Sequence, residues 1–219
     1  MNSIPFGVYD FFAYLSSGTV LVLTADYVFS TGLLSRDRIS SVLAVSLLIV
    51  AYICGHVVAQ CSAFAFERVV VERILGRPVC VLLGGAPRGR LLKRIFPNYF
   101  RMLPERTQRR VLQRADDRNF DGTGEALFLH AYAIVTTDGR LQDRLDSFRN
   151  QYGFARNVSF ALLVAAISIF MTQLLGHPAN VRWAVMAAVA SGCLFYRYLK
   201  FYRQFSYELL VRYAELTAP

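Results

Sequence analysis

From Ile39 to Phe66 the chain reads ISSVLAVSLLIVAYICGHVVAQCSAFAF, 28 residues without an Asp, Glu, Lys or Arg. The hydrocarbon core of a bilayer takes about 20 apolar residues of helix, so this run is long enough to span it. Ala51, Gly55, Ala59 and Ala63 recur at every fourth position and therefore share one helix face. Small residues on one face admit close helix–helix contact. Gly55 and His56 are the least lipid-like pair in the run. A segment of this kind makes membrane insertion the expectation around which the remaining chain is read.

The distribution of charge supports that expectation. Of the 219 residues 55% are hydrophobic, the mean hydropathy is +0.37 and the net charge is +9. Apolar residues are bunched in long uncharged runs and charges are bunched between them, as in a polytopic membrane protein. Basicity of this degree fits a positive-inside signal, attraction to anionic lipid, or a nucleic-acid site. Cys54, Cys61, Cys80 and Cys193 show no CxxC or Cys/His spacing. Cys54 and Cys61 lie two turns apart along one helix, too far to bridge. Neither a disulfide framework nor a structural zinc follows. The N-terminus lacks a basic n-region and a small-residue cleavage site, so the first apolar run is expected to be retained.

That first run, Phe11 to Leu34, carries one charge, Asp26, and opens with Tyr9, Phe11, Phe12 and Tyr14. SRDR (Ser35 to Arg38) then turns the chain into the Ile39 helix, making an antiparallel hairpin. The second helix continues through ERVVVERILG and is expected to stop at Gly76–Arg77–Pro78, where glycine followed by proline ends a helix. VCVLLGG is too short to span and packs on the domain or lies on the membrane surface. LPERTQRRVLQRADD and EALFLHAYAIV predict two helices separated by DGTG, the second mostly apolar and in need of a partner surface. After Asp138 one helical pattern runs into the third apolar segment, Asn157 to Gly176. The fourth, WAVMAAVASGCLFY, has 14 residues and covers roughly 21 Å, so Arg182 and Arg197 must snorkel or the bilayer must thin. The tail places Tyr198, Phe201, Tyr202, Phe205 and Leu209 on one side, and either prolongs the fourth helix or lies on the membrane surface.

The expected fold class is an all-α membrane protein with four transmembrane helices. It divides into a hairpin over 1–66, a helical cytoplasmic domain over 67–156, a second hairpin over 157–199 and an amphipathic tail over 200–219. Of the 24 Lys and Arg, 21 fall in the middle segment and the tail, and Arg36, Arg38 and Arg182 lie in the two short turns. Positive loops stay inside, so both termini and the middle domain are expected on the cytoplasmic side of a plasma membrane.

Asp26 and His56 are the intramembrane ionisable residues, and such residues are candidates for function. Antiparallel geometry separates them by about ten residues, or ~15 Å. His56 is instead level with Tyr14, Ser17 and Gly18, and is read either as a neutral histidine hydrogen-bonded to Tyr14 or Ser17 or as a gating or proton-sensing group. Asp26 is expected to snorkel toward the outer interface near Tyr27. Arg106, Arg109, Arg110, Arg114 and Arg118 recur at three- and four-residue spacing, giving a basic helix face. That face is either a solvated or lipid-facing surface or a site for a nucleotide, a nucleic acid or an acidic partner protein. GGAPRGR lacks the Walker pattern, and His130 is read as a satisfied core histidine. With no HExxH, GxSxG, paired carboxylates or Cys/His cluster, the chain offers no catalytic residue, metal ligand or cofactor site, and is expected not to be an enzyme.

YDFFAYLSSG (Tyr9 to Gly18) resembles a recurrent opening of small multi-pass bacterial proteins, roughly Tyr-Asp-x-Phe-x-Tyr-Leu-x-Pro-Gly. Tyr9, Asp10, Phe12, Tyr14, Leu15 and Gly18 fit, and Ser17 stands in place of the proline. AYICGHVVAQCSAFAFER, FRNQYGFARN and RYLKFYRQFSYELL have the look of the same group, four-helix inner-membrane proteins associated with antiviral defence systems. The resemblance implies a membrane effector or anchor subunit that answers a cytoplasmic trigger, a homo-oligomer working with a soluble protein partner. On that reading the chain self-associates through the small-residue faces of the second and fourth helices (Ala184, Ala188 and Gly192 on the latter) and permeabilises the bilayer. The other reading is a non-conducting membrane scaffold that recruits a soluble partner through its arginine face.

Overall fold

The computed structural model describes residues 8–32, 40–85, 89–120, 122–137, 139–177 and 179–216. The Ser35–Arg38 connection and residues 86–88 of the glycine–arginine segment lie outside them. The described residues form helices and no strand. The helices are α1 (Val8–Phe29), α2 (Ser41–Ser62), α3 (Pro78–Leu82), α4 (Arg90–Ile95), α5 (Glu105–Asp116), α6 (Glu125–Val135), α7 (Gly139–Leu174) and α8 (Val181–Glu215). Three stretches are long and apolar enough to cross a membrane: Asp10–Phe29, Ser41–Leu82 and Gln142–Leu174. The fourth apolar run is the first part of the 35-residue α8, and of the two placements open to the tail the observed one is prolongation of that helix without a break.

Local sequence explains the ends of these elements. The Ser40 hydroxyl accepts from the Leu43 N–H at 3.2 Å and caps α2. Beyond Ser62 the same helix widens into a π-helical stretch, Ala63–Leu75. It closes with an i→i+5 bond, the Gly76 N–H donating to the Val71 carbonyl at 2.7 Å. Gly76 then adopts φ 85°, which favours glycine, and Pro78 begins α3 at a position where its missing N–H costs nothing. A π-helix of 13 residues is unusual, since this geometry occurs mostly as single-turn bulges.

The chain divides into two compact units, Met1–Phe66 with Gly153–Tyr198, and Glu67–Tyr152 with Leu199–Pro219. The first is held by side chains that satisfy one another inside an apolar bundle. Ser159 and Ser191 exchange bonds, each hydroxyl donating to the other's carbonyl at 2.8 Å, which ties α7 to α8. The Ser62 hydroxyl donates to Asn157 Oδ1 at 2.8 Å, tying α2 to α7, and both residues are buried. The Phe66 ring meets Phe160 and Phe195 edge-on. The Asn180 N–H donates to the Tyr27 hydroxyl at 2.7 Å, linking the α7–α8 turn to the end of α1. The outward side of α2 is a row of exposed aliphatics, Val42, Val45, Ile49, Ile53 and Val57. That face is mostly apolar and suits contact with lipid, and its exposed Ser46 turns its hydroxyl back to the Val42 carbonyl at 2.8 Å.

The second unit has its own core. Leu82, Leu103, Val111, Ala115, Leu127, Ala131, Val135, Leu145, Phe205, Leu209, Leu210 and Tyr213 are all buried in one cluster. Leu127, Ala131 and Val135 stand four residues apart, so one stripe of α6 is buried, which is the partner surface its apolar sequence requires. Val111 and Ala115 supply the matching stripe of α5. Of the two placements open to VCVLLGG, packing on the domain is the one observed: it forms α3 and buries Leu82 in this core. The Leu82 carbonyl accepts from the Leu103 N–H at 3.0 Å and from Gln108 Nε2 at 3.1 Å, fixing the loop that leads into α5.

Candidate functional site

Tyr14, Gly55 and His56 come together with Gly18 in a packing notch between α1 and α2. A Cβ on Gly18 would lie 1.6 Å from the Ala51 carbonyl oxygen, and one on Gly55 would lie 1.9 Å from the Tyr14 carbonyl oxygen. Each glycine thus seats the backbone of the opposing helix, so α1 and α2 approach more closely than any side chain permits. His56 lies beside this crossing, stacked on the Tyr14 ring at 4.1 Å and edge-on to Tyr52 at 4.7 Å. Ser17 is fully buried and turns its hydroxyl to its own helix, donating to the carbonyls of Ala13 at 2.8 Å and Tyr14 at 3.2 Å. The histidine is therefore held by ring stacking, and the serine serves the backbone. Asp26 belongs to the other end of α1, where it accepts from the Thr31 hydroxyl and its carbonyl accepts from the Thr31 N–H.

One expectation is corrected by this arrangement. The small-residue face of α2 is not free for self-association, because Ala51, Gly55 and Ala59 are buried and α1 packs closely on Ala51 and Gly55. On α8 the outcome is mixed. Ala184 is buried, whereas Ala188 and Gly192 are exposed, with nothing within 4 Å of a Cβ built on Gly192.

The basic face of α5 divides in two. Arg106, Arg109 and Arg110 are exposed, and Arg109 reaches Glu105 at 3.7 Å. Arg114 and Arg118 flank the buried Val111–Ala115 stripe and are half-buried. The 100° step per residue turns position 114 toward the core side of the helix, and Arg118 follows in the turn that closes α5, its N–H donating to the Ala115 carbonyl at 3.1 Å. Arg118 Nε is enclosed without a hydrogen-bond partner, as are His130 Nε2 and the Tyr213 hydroxyl. Burial pushes the Tyr213 phenol above its ordinary range, against the opposing pull of the Arg118 and Arg114 cations. His130 is half-buried and stacked on Phe120 at 4.2 Å with an interplanar angle of 9°, and its enclosed Nε2 lacks the partner expected of a satisfied core histidine.

Two further groupings of the second unit carry no signal in the sequence. The Arg77 guanidinium bonds Glu72 at 2.7 Å and also Glu125, joining the start of α3 to the start of α6. These side chains border a cavity of ≈ 220 Å³, which Glu67 and Tyr202 also line. The Arg77 guanidinium holds the Glu125 carboxyl below its ordinary range. A depressed carboxyl stabilises the fold above the unfolded-state value, and that stabilisation is lost as pH falls through the folded value. Glu125→Gln is therefore expected to cost less than about 1 kcal/mol at neutral pH, Glu125 being exposed, and to flatten the acid-side loss of stability in a pH series of denaturation curves.

The other grouping is Arg101 with Arg203. Arg203 Nη2 donates to the Arg101 carbonyl at 2.7 Å, and its guanidinium carbon lies 5.9 Å from the centre of the Tyr207 ring. These two arginines are about a hundred positions apart in the chain, so no spacing pattern announces them. Among the described residues, no cluster of three or more His, Cys, Asp or Glu could hold a metal ion. No family model, curated protein or solved structure matches the chain.

Proposed function

We propose that this chain is a membrane anchor that displays a basic helical unit to an acidic protein partner at the cytoplasmic face of a bacterial plasma membrane. The observation that carries this reading is the exposed Arg106–Arg109–Arg110 surface of α5, whose opposite stripe is committed to the core. Clustered cations on a fixed helix attract and orient an acidic surface. The polar side chains Ser17, Ser62, Asn157, Ser159 and Ser191 are buried in the first unit and hydrogen-bonded to neighbouring helices or to their own backbone, which suits an anchor better than a conduit. The topology in this reading is four spans, with the first part of α8 as the short fourth one, and both termini are cytoplasmic. The concentration of 21 of 24 Lys and Arg outside the short turns supports that orientation. The likeness to antiviral-defence membrane proteins favours an anchor in such a system, with the partner as the soluble component.

A second reading, a membrane-permeabilising effector, is favoured by one observation. The exposed Ala188–Gly192 line of α8 suits close contact with a second copy. Both readings meet one experiment on the full chain in bacterial membranes. Arg106, Arg109 and Arg110 are changed together to Glu or to Lys, and partner capture and dye influx are followed. The anchor reading expects capture to fall at least about tenfold with Glu and to survive with Lys, with no influx in any strain. Influx that Gly192→Leu removes would establish the effector reading instead.

A further inference from the structure

We propose that the pocket between the Arg101–Glu105 loop and the Arg203–Tyr207 turn of α8 binds a phosphate group carried on an organic body. The pocket holds ≈ 660 Å³, and its lining includes Arg101, Met102, Glu105, Arg203, Gln204 and Tyr207. All belong to the second unit. A bare inorganic anion would leave most of that space empty, whereas an organic phosphate fills a site of this size.

The charge balance selects an anion. Among the described residues neither Arg101 nor Arg203 makes an ion pair with a carboxylate. Two arginines therefore border one space without a carboxylate paired to either of them. The half-buried Arg203 spends one N–H on the Arg101 carbonyl, and its Nε is enclosed without a partner. Burial and the neighbouring Arg101 charge both lower the Arg203 pKa, so an anion in the pocket offsets the cost that desolvation imposes. Tyr207 covers the Arg203 guanidinium with its ring and adds a hydroxyl. The loop also delivers the start of α5, where Pro104 supplies no side-chain cap and the first N–H groups lack intrahelical acceptors. Planar guanidinium groups match phosphate oxygens in pairs, which a lysine would not do. Glu105 is the opposing charge in the lining, and it leans toward Arg109 at only 3.7 Å.

This site is separate from the exposed face of α5 and does not depend on the docking reading. It is tested with the full chain in nanodiscs of neutral phosphatidylcholine, titrated calorimetrically with pyrophosphate and with glycerol 3-phosphate at fixed ionic strength. A parallel preparation contains phosphatidic acid. Saturable binding of glycerol 3-phosphate in neutral lipid, tighter than that of pyrophosphate, assigns the site to a soluble ligand, whereas binding of pyrophosphate alone contradicts the organic body. Thermal stabilisation only in the phosphatidic acid discs assigns it to a lipid headgroup. In either case Arg203→Gln and Arg101→Gln are each expected to weaken the effect roughly tenfold or more. Glu105→Gln is expected to strengthen it, and Lys93→Gln, an exposed position outside the lining, to leave it within about twofold. Binding that is absent from both preparations, or that both pocket variants retain unchanged, overturns the proposal. Far-UV circular dichroism on each variant separates loss of the site from loss of the fold.

Discussion

Gly18→Ala is expected to destabilise the protein by about 3 kcal/mol or more, although alanine is the better helix former. In an unencumbered helix the same change stabilises by up to ~1 kcal/mol, because glycine loses more backbone freedom on folding. At Gly18 the added carbon would lie 1.6 Å from the Ala51 carbonyl oxygen and 2.7 Å from the Gly55 nitrogen. Both obstacles are backbone atoms of α2, so no rotamer change clears them and the helices must part. Parting them also withdraws Gly55 from the Tyr14 backbone and unstacks His56 from the Tyr14 ring. Gly192→Ala is the matched control, since nothing lies within 4 Å of its Cβ, and it is expected to be neutral or stabilising. Thermal unfolding in detergent, read by size exclusion, therefore gives opposite signs for two identical substitutions. Equal shifts would rule out the notch as the reason for glycine at position 18.

In the second unit, Leu209→Ala is expected to cost about 2–5 kcal/mol, the range for emptying a fully enclosed leucine site. Leu209 has 0% exposure and sits in the cluster with Leu127, Val111 and Tyr213. The helices around it are short: α5 has 12 residues and α6 has 11. Helices of that length are marginal alone and depend on the packed stripe. Proteolysis within the α5–α6 region should accelerate in the variant, while resistance to alkaline extraction from membranes is unchanged because the apolar spans are untouched. Leu112→Ala, at an exposed position of α5, is expected to change stability by less than about 0.5 kcal/mol.

Much of this arrangement is legible in the residues. The stop at Gly76–Pro78, the start of α6 after the DGTG break and the unbroken pattern through Gly153 are local signals, and the helices follow them. The separation of Asp26 from His56 follows from counting residues along two antiparallel helices. Other features have no local signal. Nothing in AFAFERVVVERIL distinguishes i→i+5 from i→i+4 bonding, since the apolar spacing tolerates both. The small-residue face of α2 marks close contact without saying with whom, and α1 occupies it through Gly18. The five arginines from Arg106 to Arg118 share a spacing that reads as one surface, yet helical rotation carries Arg114, and the turn after α5 carries Arg118, toward the Tyr213 side. Arg101 and Arg203 meet only through tertiary structure.

The most direct test of the anchor reading is a photo-crosslinker placed at Gln113, an exposed position of α5 on the same side as Arg106, Arg109 and Arg110. Irradiation of intact bacteria carrying the full chain is expected to yield a membrane-associated adduct with an acidic polypeptide. That adduct should persist when the three arginines are lysines and vanish when they are glutamates. An adduct indifferent to the reversal, or none at all while the protein remains folded in the membrane, would contradict the proposed anchor.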